Sequence, residues 1–486
     1  MVFNSIGFLI FFPIVLFLYF ALPKKLSWVM LLLASYYFYI SWNVNLIFLI
    51  VFTTAISWIS SMLIERSQNK AIRKLFLVIT LVTCLGILFF YKYFNFLSDS
   101  VVSALKAFGI GADPFNLDLI LPVGISFYTF QTLSYVIDVY RGDVKTERNF
   151  FFYALYVVFF PQLVAGPIER PNNLIPQLHE RHRPNWENTR DGLRKMLIGF
   201  FKKVVVADLL ATYVNAVYND AANATGLGVV IATVLFAVQI YCDFAGYTDI
   251  AIGCAEIMGI HLMQNFNRPY ISESIPEFWR RWHISLSSWF KDYIYFPLGG
   301  SRCALWKNLR NIMIVFMVSG LWHGAAWTFV IWGALHGMYQ VIGKLLKPAR
   351  EKALALMHIS PDSKGLHLYR KAVTFILVCF AWIFFRANSM SDAMLLVKKL
   401  FTDWSLSDAY INATIDHLGL TLVAVLISIL SVYIMNRMDI NQLHLGKDGD
   451  GAIPVFRYAY IIWIIAIAWL LLLVGDGAST FIYFQF

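Results

Sequence analysis

The chain is built around long runs with no Asp, Glu, Lys or Arg, several of them near the ~20 residues a helix needs to cross a bilayer. Met1–Pro23, Leu26–Ile64, Leu75–Tyr91, Leu119–Ile137, Asn149–Ile168, Ala221–Cys242 and Asn311–Gly343 are the clearest; Ala372–Phe385, Leu418–Asn436 and Tyr458–Gly475 follow. Lipid offers peptide groups no hydrogen bonds, so such runs must be helical. Composition agrees: 59% of the 486 residues are hydrophobic and 14% charged, against about 25% charged in soluble domains. A soluble globular enzyme, a disordered chain and a secreted disulfide scaffold are excluded. The 39 Lys and Arg outnumber the 29 Asp and Glu, a surplus of +10. In such a chain this marks cytoplasmic loops rather than a nucleic-acid partner. The five scattered cysteines show no CxxC and no Cys/His ligand spacing, so neither a metal site nor a disulfide framework is expected.

Leu26–Ile64 is long enough for two spans, broken near Ser41-Trp42-Asn43, and Asn311–Gly343 for two short ones. Leu197–Tyr218 is a weaker span, interrupted by Lys202, Lys203 and Asp208. The sequence therefore predicts an all-α polytopic membrane protein with about 11–12 membrane segments. Met1–Pro23 has no basic n-region and no A-x-A site, so it reads as a retained span. Basic loops after the first, third and fifth spans alternate with the neutral Asn43 turn and the slightly acidic loop Ser98–Asp118, which predicts an outer N-terminus. Parity then fails, because Glu169–Lys195 is polar and basic yet falls outside. A re-entrant segment, broken at Pro161 and Gly166-Pro167, resolves this. No internal repeat or linker divides the chain, so one membrane domain is expected.

Ionisable groups at membrane depth are functional candidates, because burying them is costly. His323, in Ser319-Gly-Leu-Trp-His-Gly-Ala-Ala-Trp327, lies in a stretch without formal charge. A neutral imidazole is the cheapest such group to bury and can take a proton from a hydroxyl or thiol. A hydrogen-bonded packing histidine is the competing reading, and His336 in the same run invites both. In Phe278–Asp292, helical spacing puts Phe278, Trp282, Leu286, Trp289 and Tyr293 on an apolar stripe and Arg280, His283, Ser287 and Lys291 on a polar face. This predicts an amphipathic helix, started by Ser272–Pro276, that meets lipid headgroups or docks an anionic donor. Asp243, Gly246 and Tyr247 share a face where the apolar run Ala221–Cys242 ends, with Asp249 off it. They are read as support for a catalytic group or as a polar clamp. Phe160–Arg170 reads as architectural. No P-loop, HExxH or G-x-S-x-G is present.

In order and number, these segments resemble the membrane-bound O-acyltransferase (MBOAT) family, in its bacterial polysaccharide O-acetyltransferase branch. The resemblance is carried by Met1-Val-Phe-Asn-Ser5, Leu121–Gln131, Phe160–Arg170, Tyr241–Asp249, Phe278–Gly300, Ser319–Trp327 and Phe481–Phe486. Cys242 departs from the bulky aromatic expected there. The resemblance implies one domain over residues 1–486, with a catalytic core at about 115–345. It implies a funnel-like core with His323 deep inside, reachable from both faces, as the leading catalytic residue. His283 is implied as the second catalytic position. Arg280, Arg281, Asp243 and Tyr247 are implied as donor-contact or supporting residues, with Ser126 and Gln131 as weaker tunnel candidates.

The resemblance further implies acetyl transfer from a cytoplasmic thioester, expected to be acetyl-CoA used as a substrate with no bound cofactor. His323 would act as general base or carry the acetyl itself. The acceptor is an extracytoplasmic polysaccharide such as alginate, reached through a separate SGNH-hydrolase-like transferase, at the bacterial inner membrane. Peptidoglycan acetylation, D-alanyl transfer to teichoic acid, a polysaccharide or lipid transporter, and a scaffold for a soluble transferase are the alternatives.

Overall fold

The computed structural model describes residues 1–404, all helix and connecting turns with no strand among them. The expected spans Leu418–Asn436 and Tyr458–Gly475 and the closing motif Phe481–Phe486 lie outside the described residues. The helices are α1 (Ile6–Ala21), α2 (Lys24–Ile40), α3 (Ile47–Arg66), α4 (Lys70–Leu88), α5 (Phe94–Ala107), α6 (Ile125–Arg141), α7 (Phe150–Val158), α8 (Pro171–His179) and α9 (Trp186–Phe200). They continue as α10 (Asp208–Tyr218), α11 (Gly226–Ile257), α12 (Ile275–Arg281), α13 (Ile284–Phe290), α14 (Leu305–His323), α15 (Trp327–Leu345), α16 (Lys347–Leu356), α17 (Lys364–Arg386) and α18 (Met390–Thr402). Single π-helical turns extend three of them, at Phe89–Tyr93, Phe201–Ala207 and Lys291–Tyr295. Among the described residues, α3, α4 with α5, α11 and α17 are long and apolar enough to cross a membrane unaided.

Side-chain ties sort the turns into two ends. At one end the Met1 amino group donates to Ser41 Oγ at 2.8 Å, and Trp327 Nε1 donates to Ser100 at 3.2 Å. At the other, Arg148 pairs with Glu65 at 3.0 Å, Arg73 donates to the Tyr140 carbonyl at 2.7 Å and Lys195 pairs with Glu256 at 2.5 Å. The basic loops thus gather at one end. Charge bias makes that end cytoplasmic and the Met1 end outer.

The parity problem has a structural answer. α7 is 9 residues long, about 13 Å, less than half the hydrocarbon thickness. The chain then returns through buried backbone at 159–169, and α8 runs along the basic end, where Asn173 and Gln177 donate to the His261 carbonyl at 3.4 and 3.0 Å. At its end His179 Nε2 lies 2.6 Å from Glu147, at the start of the same excursion. Gln131 and Gln162 both donate to the Tyr156 carbonyl, at 2.6 and 2.8 Å, and satisfy the irregular backbone.

Four boundaries differ from the sequence reading. The loop expected at Ser98–Asp118 is helical to Ala107. The span expected from Leu119 begins at Ile125, behind Pro122 and a left-handed Gly124. The helix of the apolar run Ala221–Cys242, read as closing by Asp249, runs on to Ile257, and α9 packs along it. There Gly192 and Gly199 face Gly253 and Gly246, and a Cβ on Gly199 would sit 2.5 Å from the Gly246 carbonyl. Only glycine permits such close approach, a common solution between membrane helices. The fourth boundary, at His283, belongs to the site below.

The topology predicts that Lys145→Cys and Arg181→Cys, placed at exposed residues in a chain with Cys303→Ser, react with an impermeant maleimide from the same side of sealed vesicles. Labelling from opposite sides would refute the re-entrant hairpin.

Candidate functional site

His323 is the last residue of α14. The chain is extended at Gly324 and reverses into α15. A Cβ on Gly320 would run into the Phe329 carbonyl and one on Gly333 into that of Phe316, so the two helices pack backbone to backbone. His323 therefore sits at the outer-facing tip of a helical hairpin, within the two-span stretch that the sequence predicts.

His283 sits at the tip of a second hairpin, and here the sequence reading is corrected. The segment Phe278–Asp292 is two short helices, α12 and α13, broken at Trp282-His283. His283 is left-handed, with φ 44° and ψ 56°. Buried Asn265 replaces the lost helical ladder. Its carbonyl accepts from Ile284 N at 2.9 Å, and its Oδ1 accepts from Ser285 N at 3.2 Å and Ser285 Oγ at 2.6 Å. The apolar stripe survives, with Phe278, Trp282, Leu286 and Trp289 all buried. His283 leaves the expected polar face and is 0% exposed. The expected start holds: Ser274 Oγ caps α12 by accepting from Glu277 N at 3.3 Å. Glu273, beside that start, contacts His367 at 2.8 Å, and Asp292, beyond α13, pairs with Arg170 at 2.9 Å. Both ties lie at the basic end, so the pair dips inward from there.

The two tips meet. The His283 and His323 rings lie 6.3 Å apart between centroids, at 56°. His323 is 4% exposed and packs edge-to-face on Trp322 and Trp332, each at 4.9 Å, and on Phe385 at 5.5 Å. His283 meets Phe244 at 4.7 Å, Trp322 at 5.8 Å and Phe127 at 6.3 Å. Such walls exclude water and strengthen any charge interaction formed between the rings. His336 is also buried, but its Nδ1 accepts from Trp279 Nε1 at 3.2 Å, as a packing histidine does.

An open cleft of about 150 Å³ reaches His323. Trp42, Lys92, Leu121–Phe127, Val164 and Trp322 complete its walls. Trp42 follows Ser41, to which the amino terminus is tied, so the cleft opens at the outer end. Ser126 lines it, whereas Gln131 is occupied by the re-entrant segment.

The remaining candidates make other contacts. Asp243 pairs with Lys203 at 2.5 Å, Lys203 also with Asp208 at 2.9 Å, and Lys202 with Asp249 at 2.8 Å. This is a buried clamp between α11 and the π turn of residues 201–207. Tyr247 stacks on Phe3 at 4.5 Å. Arg280 is exposed, and Arg281 is held by Glu277 at 2.9 Å. None of the four is among the aromatic or cleft residues described above. In the Phe160–Arg170 segment, read as architectural, buried Glu169 accepts from Met263 N at 2.5 Å and Asn173 at 2.7 Å, while Val164 lines the cleft.

The sequence reading missed Lys92. Its Nζ donates to the carbonyls of Trp322 at 2.8 Å and His323 at 3.1 Å, and Tyr93 OH donates to that of Leu321 at 2.8 Å. The available signal was a single cation directly after the apolar run Leu75–Tyr91.

A profile of the membrane-bound O-acyltransferase family matches residues 144–385, which include both histidines and the rings of Phe244, Trp322, Trp332 and Phe385 around them. The probable alginate O-acetylase AlgI of Azotobacter vinelandii is 38% identical, over 84% of this chain and 80% of its own. The peptidoglycan O-acetyltransferase of Helicobacter pylori is 34% identical over 76% and 73%. The teichoic acid D-alanyltransferase of Bacillus subtilis is 30% identical over 55% and 69%. The chain belongs to the membrane-bound O-acyltransferase family. It is a multi-pass membrane protein, and its chemistry is acyl transfer to a hydroxyl.

Removing one partner of a buried ion pair leaves the other charge stranded, at a cost of about 3–5 kcal/mol. Lys203→Met strands Asp243 and Asp208, so the variant should melt well below the wild type in detergent. An unchanged melting temperature would contradict the clamp.

Proposed function

We propose that the protein moves an acetyl group from a cytoplasmic thioester, acetyl-CoA, toward O-acetylation of an extracytoplasmic polysaccharide such as alginate, in the bacterial inner membrane. One observation carries the reading: two buried imidazoles, 6.3 Å apart between ring centroids, in an aromatic chamber with a cleft beside one of them at the outer end. Two hairpin tips, one rising from the basic end and one turning at the outer end, suit a donor and an acceptor on opposite sides.

In this reading a ring nitrogen of His323 accepts the proton of the incoming hydroxyl. The hydroxyl oxygen attacks the thioester carbonyl carbon, the C–S bond breaks, and the departing thiolate takes the proton back from the imidazolium. His283 faces the same space and steadies the acyl group or the leaving sulfur. The charged donor stays on the cytoplasmic side and the polar acceptor outside, so only the acetyl crosses. A separate SGNH-hydrolase-like transferase completes delivery to the glycan. The names of the alginate and peptidoglycan relatives support acetyl as the cargo, and that of the Bacillus relative keeps D-alanyl as the competing one.

His323→Ala, with its membrane level checked, should lower acyl transfer by about 10²–10⁴-fold, the usual weight of a general base. Ester content of the cell-surface glycans in the host reads this out. Unchanged ester would remove the assignment. Labelled acetyl-CoA should pass label to the ester fraction, whereas label passing only from a D-alanyl carrier would select the other donor.

A further inference from the structure

The last turn of α14 leaves four carbonyls without helical partners. The regular ladder closes with Gly324 N donating to the Gly320 carbonyl at 3.3 Å, and three of the carbonyls beyond it are satisfied from one place. Those of Leu321, Trp322 and His323 accept from Tyr93 and Lys92, whose side chains both come from the π turn Phe89–Tyr93. An extra residue in a helical turn re-aims the side chains that follow, and such turns recur at functional sites. A helix cap need not touch the site it supports. Here the capping Nζ of Lys92 bonds the backbone of His323 itself and stands in the wall of the cleft that reaches its ring.

We infer that Lys92 is a positioning residue for acyl transfer, with Tyr93 as its assistant. It fixes the His323 backbone, and so the aim of the imidazole toward His283 and the cleft. The inference rests on the proposed role of His323. Without the Nζ donors the final turn of α14 frays and the ring samples poses away from the acyl carbon. Misplacement of this kind lowers turnover far more than donor binding.

The test uses full-length variants in membranes of the host, with labelled acetyl-CoA added on the cytoplasmic side and alkali-labile label counted as product. Lys92→Met keeps the length of the side chain and removes the donors. It should lower kcat by about tenfold or more while the KM for acetyl-CoA stays within about twofold. Lys92→Arg, which can still donate to two carbonyls, should recover much of the lost kcat. An unchanged kcat in Lys92→Met, or a loss confined to KM, overturns the inference. If Lys92→Met does not accumulate in membranes, Tyr93→Phe decides: lowered kcat at constant KM supports the inference, and unchanged kcat overturns it. His323→Ala in the same assay separates the two levels. If it retains turnover, the proposed role of His323 has failed. If it is inactive while the Lys92 variant is normal, only the positioning role has.

Discussion

A polar group sunk among lipid-embedded helices must find its partner inside the protein, since neither water nor lipid supplies one. The placement of the site follows from that constraint. Breaking a helix at membrane depth frees backbone groups, and three local devices satisfy them. Asn265 takes up the backbone around His283. Gln131 and Gln162 take up the Tyr156 carbonyl in the re-entrant segment. Lys92 and Tyr93 take up the end of α14. Each device lets a helix stop short, and two of the stops put histidines at hairpin tips. A continuous helix would have spread His283, Arg280 and Lys291 along one face; the break turns His283 inward alone.

The same constraint divides labour between charged and neutral groups. The buried lysines of the π turn at Phe201–Ala207 are matched to Asp243, Asp208 and Asp249, so this clamp can be deep without stranding a charge. The chamber is walled instead by rings, which hold imidazoles in place without fixing a charge on them. Such a place suits a base that must be neutral at the start of a cycle and briefly cationic within it.

How far the sequence revealed this depends on the range of each interaction. The turn at Ser41–Asn43, the re-entrant break at Pro161 and Gly166-Pro167, and the two-span stretch around His323 were legible, because each is written in local composition. The break at Trp282-His283 was not. The stripe Phe278, Trp282, Leu286 and Trp289 reads the same for one helix or two, and the residue that replaces the ladder, Asn265, lies outside that segment. Lys202 and Lys203 read as interruptions because Asp243 and Asp249 lie some forty residues further on. Lys92 read as the end of a span, since a π turn leaves no periodic signature and the carbonyls it serves are 230 residues away.

The central claim is that acyl transfer takes place between the two hairpin tips. A cryo-EM map of the protein with a non-hydrolysable acetyl-CoA thioether tests it most directly. The acyl-mimicking carbon should lie in the gap between the His283 and His323 rings, with the nucleotide at the basic end. A well-occupied analogue whose acyl end lies elsewhere, with that gap still closed, would contradict the account.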